Sequence, residues 1–430
     1  MRTLPKVLHM LASLLFIWPV IAHAEPELSL DEAVRLAMQS QPLLQSYDEA
    51  SRASQEAAIA SSQLPDPRLK MGIVNLPITG SDAARFNRDE MTMSTIGIMQ
   101  EMVPQAERDA AARTMQAAAE QFQTEKAITA RAIKRDVALA WLDVFEAQRR
   151  SELYRKMADE MAAERKTLVS RISTGATPPA EVFELDTALS MANDKRLEAL
   201  REEKKARAGL ARWIGAASQR PLAAELSVTD LPLTPSAIQA RSAMQAQIDQ
   251  HPALLNAEQM KAVAQSEADL ARAERELNWS WEVMYGKRRS ELSDMVGFQV
   301  EVELPWDRAN RQDRRISEKM LLVEKAQQLT QDRRQQLIAE LESAMAEAEI
   351  AQAREKEHHD KLIPAARSRL ELLQAGYAAG KDNLAEVWAA RRALIEAEMH
   401  HWLVLTDRER AIAKLNYLLG GNPADQGINP

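Results

Sequence analysis

Apolar positions along this chain recur with two periods. Over 30–62 the spacing is helical, opened by Ser29 as an N-cap with Asp31 and Glu32 in the first turn. Pro65 and Pro67 stop that helix. The period then drops to two. Leu69, Met71 and Ile73 alternate with Arg68, Lys70 and Gly72, which predicts a strand over 68–76. A second strand over 91–103 mixes Thr, Ser and Gln among Met and Ile and ends at Pro104. The same order returns later: a helix over 236–277, then strands over 279–287 and 295–304. This second pair alternates cleanly. Trp279, Trp281, Val283 and Tyr285 oppose Ser280, Glu282, Met284 and Gly286, and Val296, Phe298, Val300, Val302 and Leu304 oppose Gly297, Gln299, Glu301 and Glu303. Strands of about ten residues, apolar on one face and polar on the other with aromatics near the ends, match a membrane β-barrel. A half-buried strand of a soluble sheet alternates identically.

Between the strand pairs the pattern is helical over long distances. Residues 105–172 contain neither Pro nor Gly. A helix of that length is a rod of about 100 Å, which implies a coiled coil. Ile133, Val137, Ala140, Trp141 and Val144 mark its apolar stripe, and Leu337, Leu341, Ala344, Met345 and Ala348 repeat that stripe 204 positions later. Two glycine pairs, Gly175 with Gly380 and Gly215 with Gly420, are each 205 positions apart. A constant offset over long helical segments marks a duplicated unit. The reading is therefore a first repeat over 25–220, with a helical hairpin over 105–214 and its tip at Gly175. A linker over 221–235 leads to a second repeat over 236–420, with a hairpin over 307–419 and its tip at Gly380. Pro364 should bend the second rod, and residues 421–430 read as a disordered tail.

Composition agrees with rods rather than globules: aromatics are 4% and glycine numbers 13 in 430 residues. Arg2 and Lys6 precede an apolar run from Leu8 to Ile21, and Ala22-His23-Ala24 follows, so 1–24 reads as a cleaved signal peptide. The formal charge of −8 falls to −10 once those two cations leave, which disfavours a nucleic-acid partner. The cysteine count of 0 removes disulfides, thiolate metal sites and a cysteine nucleophile. No later stretch is apolar enough for a transmembrane helix, so any membrane insertion must use strands.

Four strands cannot close a barrel. Two chains would give eight, an interior filled by side chains; three would give twelve, enough for an aqueous lumen. The expectation is a mainly α chain with a small membrane β part. Three copies would share one 12-stranded β-barrel, continued by an α-helical barrel.

These pieces resemble the TolC-type outer membrane efflux family over about Leu28 to Gly420. The motifs that carry the resemblance are QPLL at Gln41 with HPAL at His251, LPDPRLKMG at Leu64, and the tips RISTG and GYAAGKDNLAEV. The segment from Pro65 to Pro104 is similar to the branch paired with heavy-metal resistance-nodulation pumps. The resemblance implies a homotrimeric, passive export duct in the outer membrane of a Gram-negative bacterium, with a large periplasmic part. It implies a periplasmic membrane-fusion adaptor and an inner-membrane resistance-nodulation pump as partners, heavy-metal cations as cargo, and no enzyme activity or cofactor. The alternative from a different class is a soluble periplasmic coiled-coil adaptor or scaffold. By resemblance, Gly175, Gly380, Lys381 and Asp382 belong to the periplasmic tips that dock the adaptor. Glu386 occupies one position of an acidic ring at the entrance; Ala389 leaves a second ring unfilled, and Glu181 and Glu184 are further candidates. Such a ring would attract cations and repel anions.

Other groupings carry less. Met71, Met91, Met93, Met99 and Met102 offer thioethers, which suit Cu(I), although methionine is also common filler of apolar faces. His358-His359-Asp360 and His400-His401 put adjacent residues on a helix, where they do not face each other, and neither pair recurs in the first repeat. No metal site is expected there, and no catalytic constellation is found.

Overall fold

A computed structural model describes residues 27–39, 41–86, 88–173, 180–223 and 247–420. The expected signal peptide, most of the linker, the first tip with Gly175, and the tail lie outside these residues.

The first expected helix is two: α1 (Leu30–Gln39) and α2 (Pro42–Ser61). Pro42 lacks an N–H and restricts Gln41, whose backbone is extended, so a new helix starts there. Two strands follow, β1 (Arg68–Val74) and β2 (Met93–Met102). The long rod is α3 (Gln105–Ser173), 69 residues without a break. It is answered by α4 (Ala180–Ile214), which a short 3₁₀ turn at Gly215–Gln219 closes. The second half repeats the order with α5 (Pro252–Ala273), β3 (Trp279–Lys287) and β4 (Met295–Val302). Its rod is broken where the first is not: α6 (Gln312–Glu357), one π-helical turn at His358–Leu362, then α7 (Ile363–Ala378). Helix α8 (Leu384–Leu419) returns. Strand β3 keeps its expected bounds, β1 and β4 each end two residues early, β2 starts two residues late and ends one early, and the second rod begins at Gln312 rather than 307.

The break has a local cause. Pro364 cannot donate a hydrogen bond and its ring crowds the preceding turn, so the helix widens instead of kinking. The Ile363 N–H donates to the His358 carbonyl, five residues back.

The two halves are built alike down to their ties. The Gln41 side-chain amide donates to the Trp213 carbonyl at 3.3 Å, and His251 Nε2 meets the Tyr417 carbonyl at 3.1 Å. Gln41 and His251 both precede the proline that opens a helix, and Trp213 and Tyr417 both lie near the end of a returning rod.

The core runs along the rods as separate clusters. Trp141 is fully buried, stacks on Phe145 at 5.4 Å and donates its indole N–H to the Leu28 carbonyl at 3.1 Å. Leu28 in turn bridges to Leu222, pinning the start of the first repeat to its end. Leu337, Leu341, Ala344 and Ala348 form the matching core of the second half with Leu415 and Leu418. A third cluster, around Met157, Met161, Leu185 and Leu384, joins the hairpins towards their tips. Among the described residues no helix is long and apolar enough to cross a membrane.

Candidate functional site

All four strands form one antiparallel sheet in the order β1-β2-β3-β4. The ribbon of each half therefore meets the other at β2 and β3, and β1 and β4 are left as edges. The register lines up the alternation across the sheet. Met71, Ile96, Tyr285 and Val296 form one row; Leu69, Ile98, Val283 and Phe298 form the next; Met102, Trp279 and Val302 form another. The result is one mainly apolar face, interrupted by Gln100, much of which is exposed among the described residues. Met71 is 73% exposed, Val296 75% and Phe298 71%. Exposed apolar surface of this extent requires another apolar phase or partner.

The opposite face is polar. Its rows include Arg68, Met99, Glu282 and Gln299, then Lys70, Gly97, Met284 and Gly297. Lys70 pairs with Glu282 across β2, and Arg68 pairs with Glu101 at 3.4 Å. The methionines that the sequence groups together are split by the sheet. Met71 and Met102 join the apolar face, whereas Met93 and Met99 join the polar face with Met284 and Met295. Met91 lies before β2 and is exposed.

Where the sheet meets the helices, carboxylates gather. Burial holds the Glu107 carboxyl above its ordinary pKa, and the charges of Glu274, Glu303, Glu101 and Glu276 push it further the same way. Among the described residues Glu107 Oε2 is buried with no hydrogen-bond partner. Sequence reasoning missed this acidic junction because its members come from three stretches of the chain, 101–107, 274–276 and 303.

The second tip is built as a tight helix-to-helix turn. Gly380 has φ +71°, a left-handed conformation that glycine adopts without strain. The Gly380 N–H donates to the Tyr377 carbonyl at 3.0 Å and the Lys381 N–H to the Gly376 carbonyl at 2.9 Å. Asp382 folds back over Gly376. Asn383 then caps α8: its Oδ1 accepts from the Glu386 N–H at 2.8 Å, and its amide donates to Glu386 Oε1 at 3.1 Å. Glu386 is therefore engaged by the capping residue through both its backbone N–H and its carboxylate, and it is exposed.

Glu181 and Glu184 open the returning helix of the first hairpin, α4. They line a cavity of 370 Å³ between the first hairpin and the start of α8, with Met157, Trp388, Ala389 and Arg392. Glu181 Oε2 and Trp388 Nε1 are both buried there without a hydrogen-bond partner.

The histidines also differ from the sequence expectation. Adjacent members do not face each other along a helix, but His358 meets His400, and His359 meets His401, between helices.

Fold and surface together define an amphipathic four-stranded sheet, its two edges unpaired among the described residues, carried on two long helical hairpins. Comparison with known proteins agrees. Residues 243–421 match the family model described as outer membrane efflux protein. The fold is similar to that of CusC, with 13% identity, a TM-score of 0.75, and coverage of 92% of this chain and 93% of that one. It is similar to the Campylobacter jejuni CmeC outer membrane channel, with 10% identity, TM-score 0.75, and coverage of 93% and 88%. It is also similar to a membrane protein from Pseudomonas aeruginosa, with 18% identity, TM-score 0.71, and coverage of 91% and 92%. No curated protein matches the chain by sequence. The match to that family model lies in the second repeat, and the fold over the described residues is the one these channel structures share.

Proposed function

We propose that three copies of this chain close a twelve-stranded barrel and form the outer-membrane duct of a tripartite efflux system for heavy-metal cations. The observation that carries the reading is the sheet itself. It has one mainly apolar face, one polar face, and two edges, β1 and β4, that the described residues leave unpaired. A backbone edge inside a bilayer must find a partner, and closure by other copies supplies one. The apolar face would meet lipid and the polar face would line the lumen.

The long rods would continue the barrel into the periplasm, with the turn at Gly380, Lys381 and Asp382, together with the tip at Gly175, meeting the adaptor. Transport would be passive, with energy supplied by an inner-membrane pump. A cationic cargo is supported by the carboxylates at the junction around Glu107 and by Glu386 at the tip. A soft metal cation is further supported by Met93, Met99, Met284 and Met295 on the lumen side, since thioethers suit such ions. The signal peptide over 1–24 would direct export.

Deletion of the gene followed by challenge with copper, silver, zinc and a hydrophobic dye tests the cargo. The expected outcome is sensitivity to the metals. Sensitivity to dye alone would reject the metal assignment, and release of the protein in osmotic-shock fluid would favour the soluble scaffold.

A further inference from the structure

The π-helical turn and the four histidines occur together, in the second half only. The first rod passes the equivalent point unbroken and carries no histidine there. Long-range packing of the rods therefore requires neither. The widened turn places His359 opposite His401 of α8, ring centroids 5.8 Å apart and 35° from parallel. A zinc–imidazole nitrogen bond is about 2.0–2.1 Å, so two imidazoles on one ion have centroids roughly 5–6 Å apart. The rings already stand at that spacing. Glu398 lies three residues before His401 on α8, on the same helical side, and both line one cleft of 530 Å³ with His359. Glu398 pairs there with Arg367 at 3.8 Å. The cleft's other carboxylate, Glu152, is engaged by Arg149 at 3.3 Å and Lys156 at 3.4 Å. Among the described residues, His401 Nδ1 is buried with no hydrogen-bond partner, an arrangement that calls for an explanation.

We propose that His359 and His401, with Glu398 as third donor, form a binding site for a borderline divalent transition-metal ion, zinc or copper(II), in the wall of the helical conduit. Imidazole and carboxylate are suitable donors for these ions. Among the described residues no three His, Asp or Glu side chains are placed to hold an ion together. Binding therefore requires Glu398 to exchange Arg367 for the metal, with water completing the shell. An occupied site would tie the π turn to α8. This inference does not rest on the cargo reading, since the site lies in the wall and needs no flow through the lumen.

The test is equilibrium dialysis of the purified full-length protein in detergent, stripped with a chelator and then given zinc chloride or copper(II) sulfate alone. The expected result is one ion per chain, with at least tenfold weaker binding in His359→Ala and in His401→Ala. Glu398→Gln, which preserves side-chain volume, should weaken binding several-fold while leaving thermal unfolding of the metal-free protein unchanged. X-ray absorption of the zinc form should show two imidazoles in its first shell, lost in His401→Ala. Zinc binding equal in wild type and both histidine variants, or no binding above the detergent blank, would overturn the proposal. Neither outcome bears on whether the duct exports metals, which the deletion strain decides separately.

Discussion

Lys70 on β1 and Glu282 on β3 form an ion pair although a whole strand separates them. The pair passes over Gly97 of β2, which has no side chain to obstruct it. Gly97 is also confined by its neighbour: a Cβ there would stand 2.9 Å from the Val283 carbonyl oxygen and 3.3 Å from Met284 Cα. The contact is with backbone, which cannot swing away. Gly97→Val should therefore separate β2 from β3 at a cost of about 1–3 kcal/mol. The expected readout is a lower temperature of dissociation in semi-native gel electrophoresis.

The charge of Lys70 has a different role from the shape of Gly97. An exposed pair contributes little stability, about 1 kcal/mol or less. Lys70→Ala should leave assembly intact. In the proposed duct it removes one cation per chain from the lumen and leaves Glu282 unneutralised. Planar-bilayer reversal potentials under a salt gradient should shift towards greater cation preference, and an unchanged potential would place this face away from the lumen.

His251 is a buried histidine that folding keeps neutral. Its Nδ1 accepts from the Ala253 N–H at 3.1 Å, and Nε2 faces the Tyr417 carbonyl. Burial, then the nearby charge of Arg131, lowers its pKa from 6.5 to about 4. The unfolded chain therefore binds the proton more readily. The stability contribution is complete above pH 6.5 and is lost as pH falls from there towards 4. The full loss is about 3 kcal/mol. His251→Gln, which copies Gln41 of the first half, should flatten this part of the profile of melting temperature against pH. A variant as acid-sensitive as wild type between pH 6.5 and 4 would contradict the assignment.

Glu107 works in the opposite sense. Its raised pKa means that the folded state is favoured while the carboxyl is protonated, and that stability declines as pH rises past its unfolded value of 4.5. Glu107→Gln should raise the melting temperature at pH 7 and have little effect near pH 4. Calorimetry at the two pH values checks this directly.

At the second tip, Gly376 is required by Asp382. A Cβ at Gly376 would lie 1.7 Å from Asp382 Oδ2 and 2.7 Å from its Cγ. Gly376→Ala must displace the Asp382 side chain and loosen the turn that presents Lys381. Hydrogen exchange of the Lys381 amide, bonded to the Gly376 carbonyl, should rise by an order of magnitude or more, with rods and sheet unaffected.

How much of this was legible in the sequence depends on whether the determinant is periodic. The alternation from Trp279 to Tyr285 fixes a strand and its faces, because a period of two has one structural reading. The stripe at Ile133 and its copy at Leu337 give the rods and their duplication for the same reason. Gln41-Pro42 and His251-Pro252 were visible as an echo, but not as helix starts tied to Trp213 and Tyr417, since those carbonyls lie far along the chain. The functional positions were the least legible. Glu386 reads equally as lumen charge and as a cap partner, and only geometry shows that Asn383 engages it. Glu181 and Glu184 read from the tip motif only as further acidic candidates, and the cavity they line with Trp388 and Arg392 depends on how the helices pack. His359 and His401 could not be paired from sequence, because a π-helical turn set by Pro364 decides which way His359 faces.

The central claim is that β1 of one copy pairs with β4 of another. Within one chain these strands are separated by two others, a distance of about 14 Å, well beyond the reach of a disulfide. The cysteine count of 0 makes the protein a clean background for paired substitutions. Single cysteines placed in β1 at Leu69 or Met71 and in β4 at Val296, Phe298 or Val300 should, in some combination, crosslink three chains into one covalent ring on oxidation in membranes. Oxidised protein that stays at the mass of one chain for every combination, alongside a monomeric mass in mild detergent, would contradict the shared barrel.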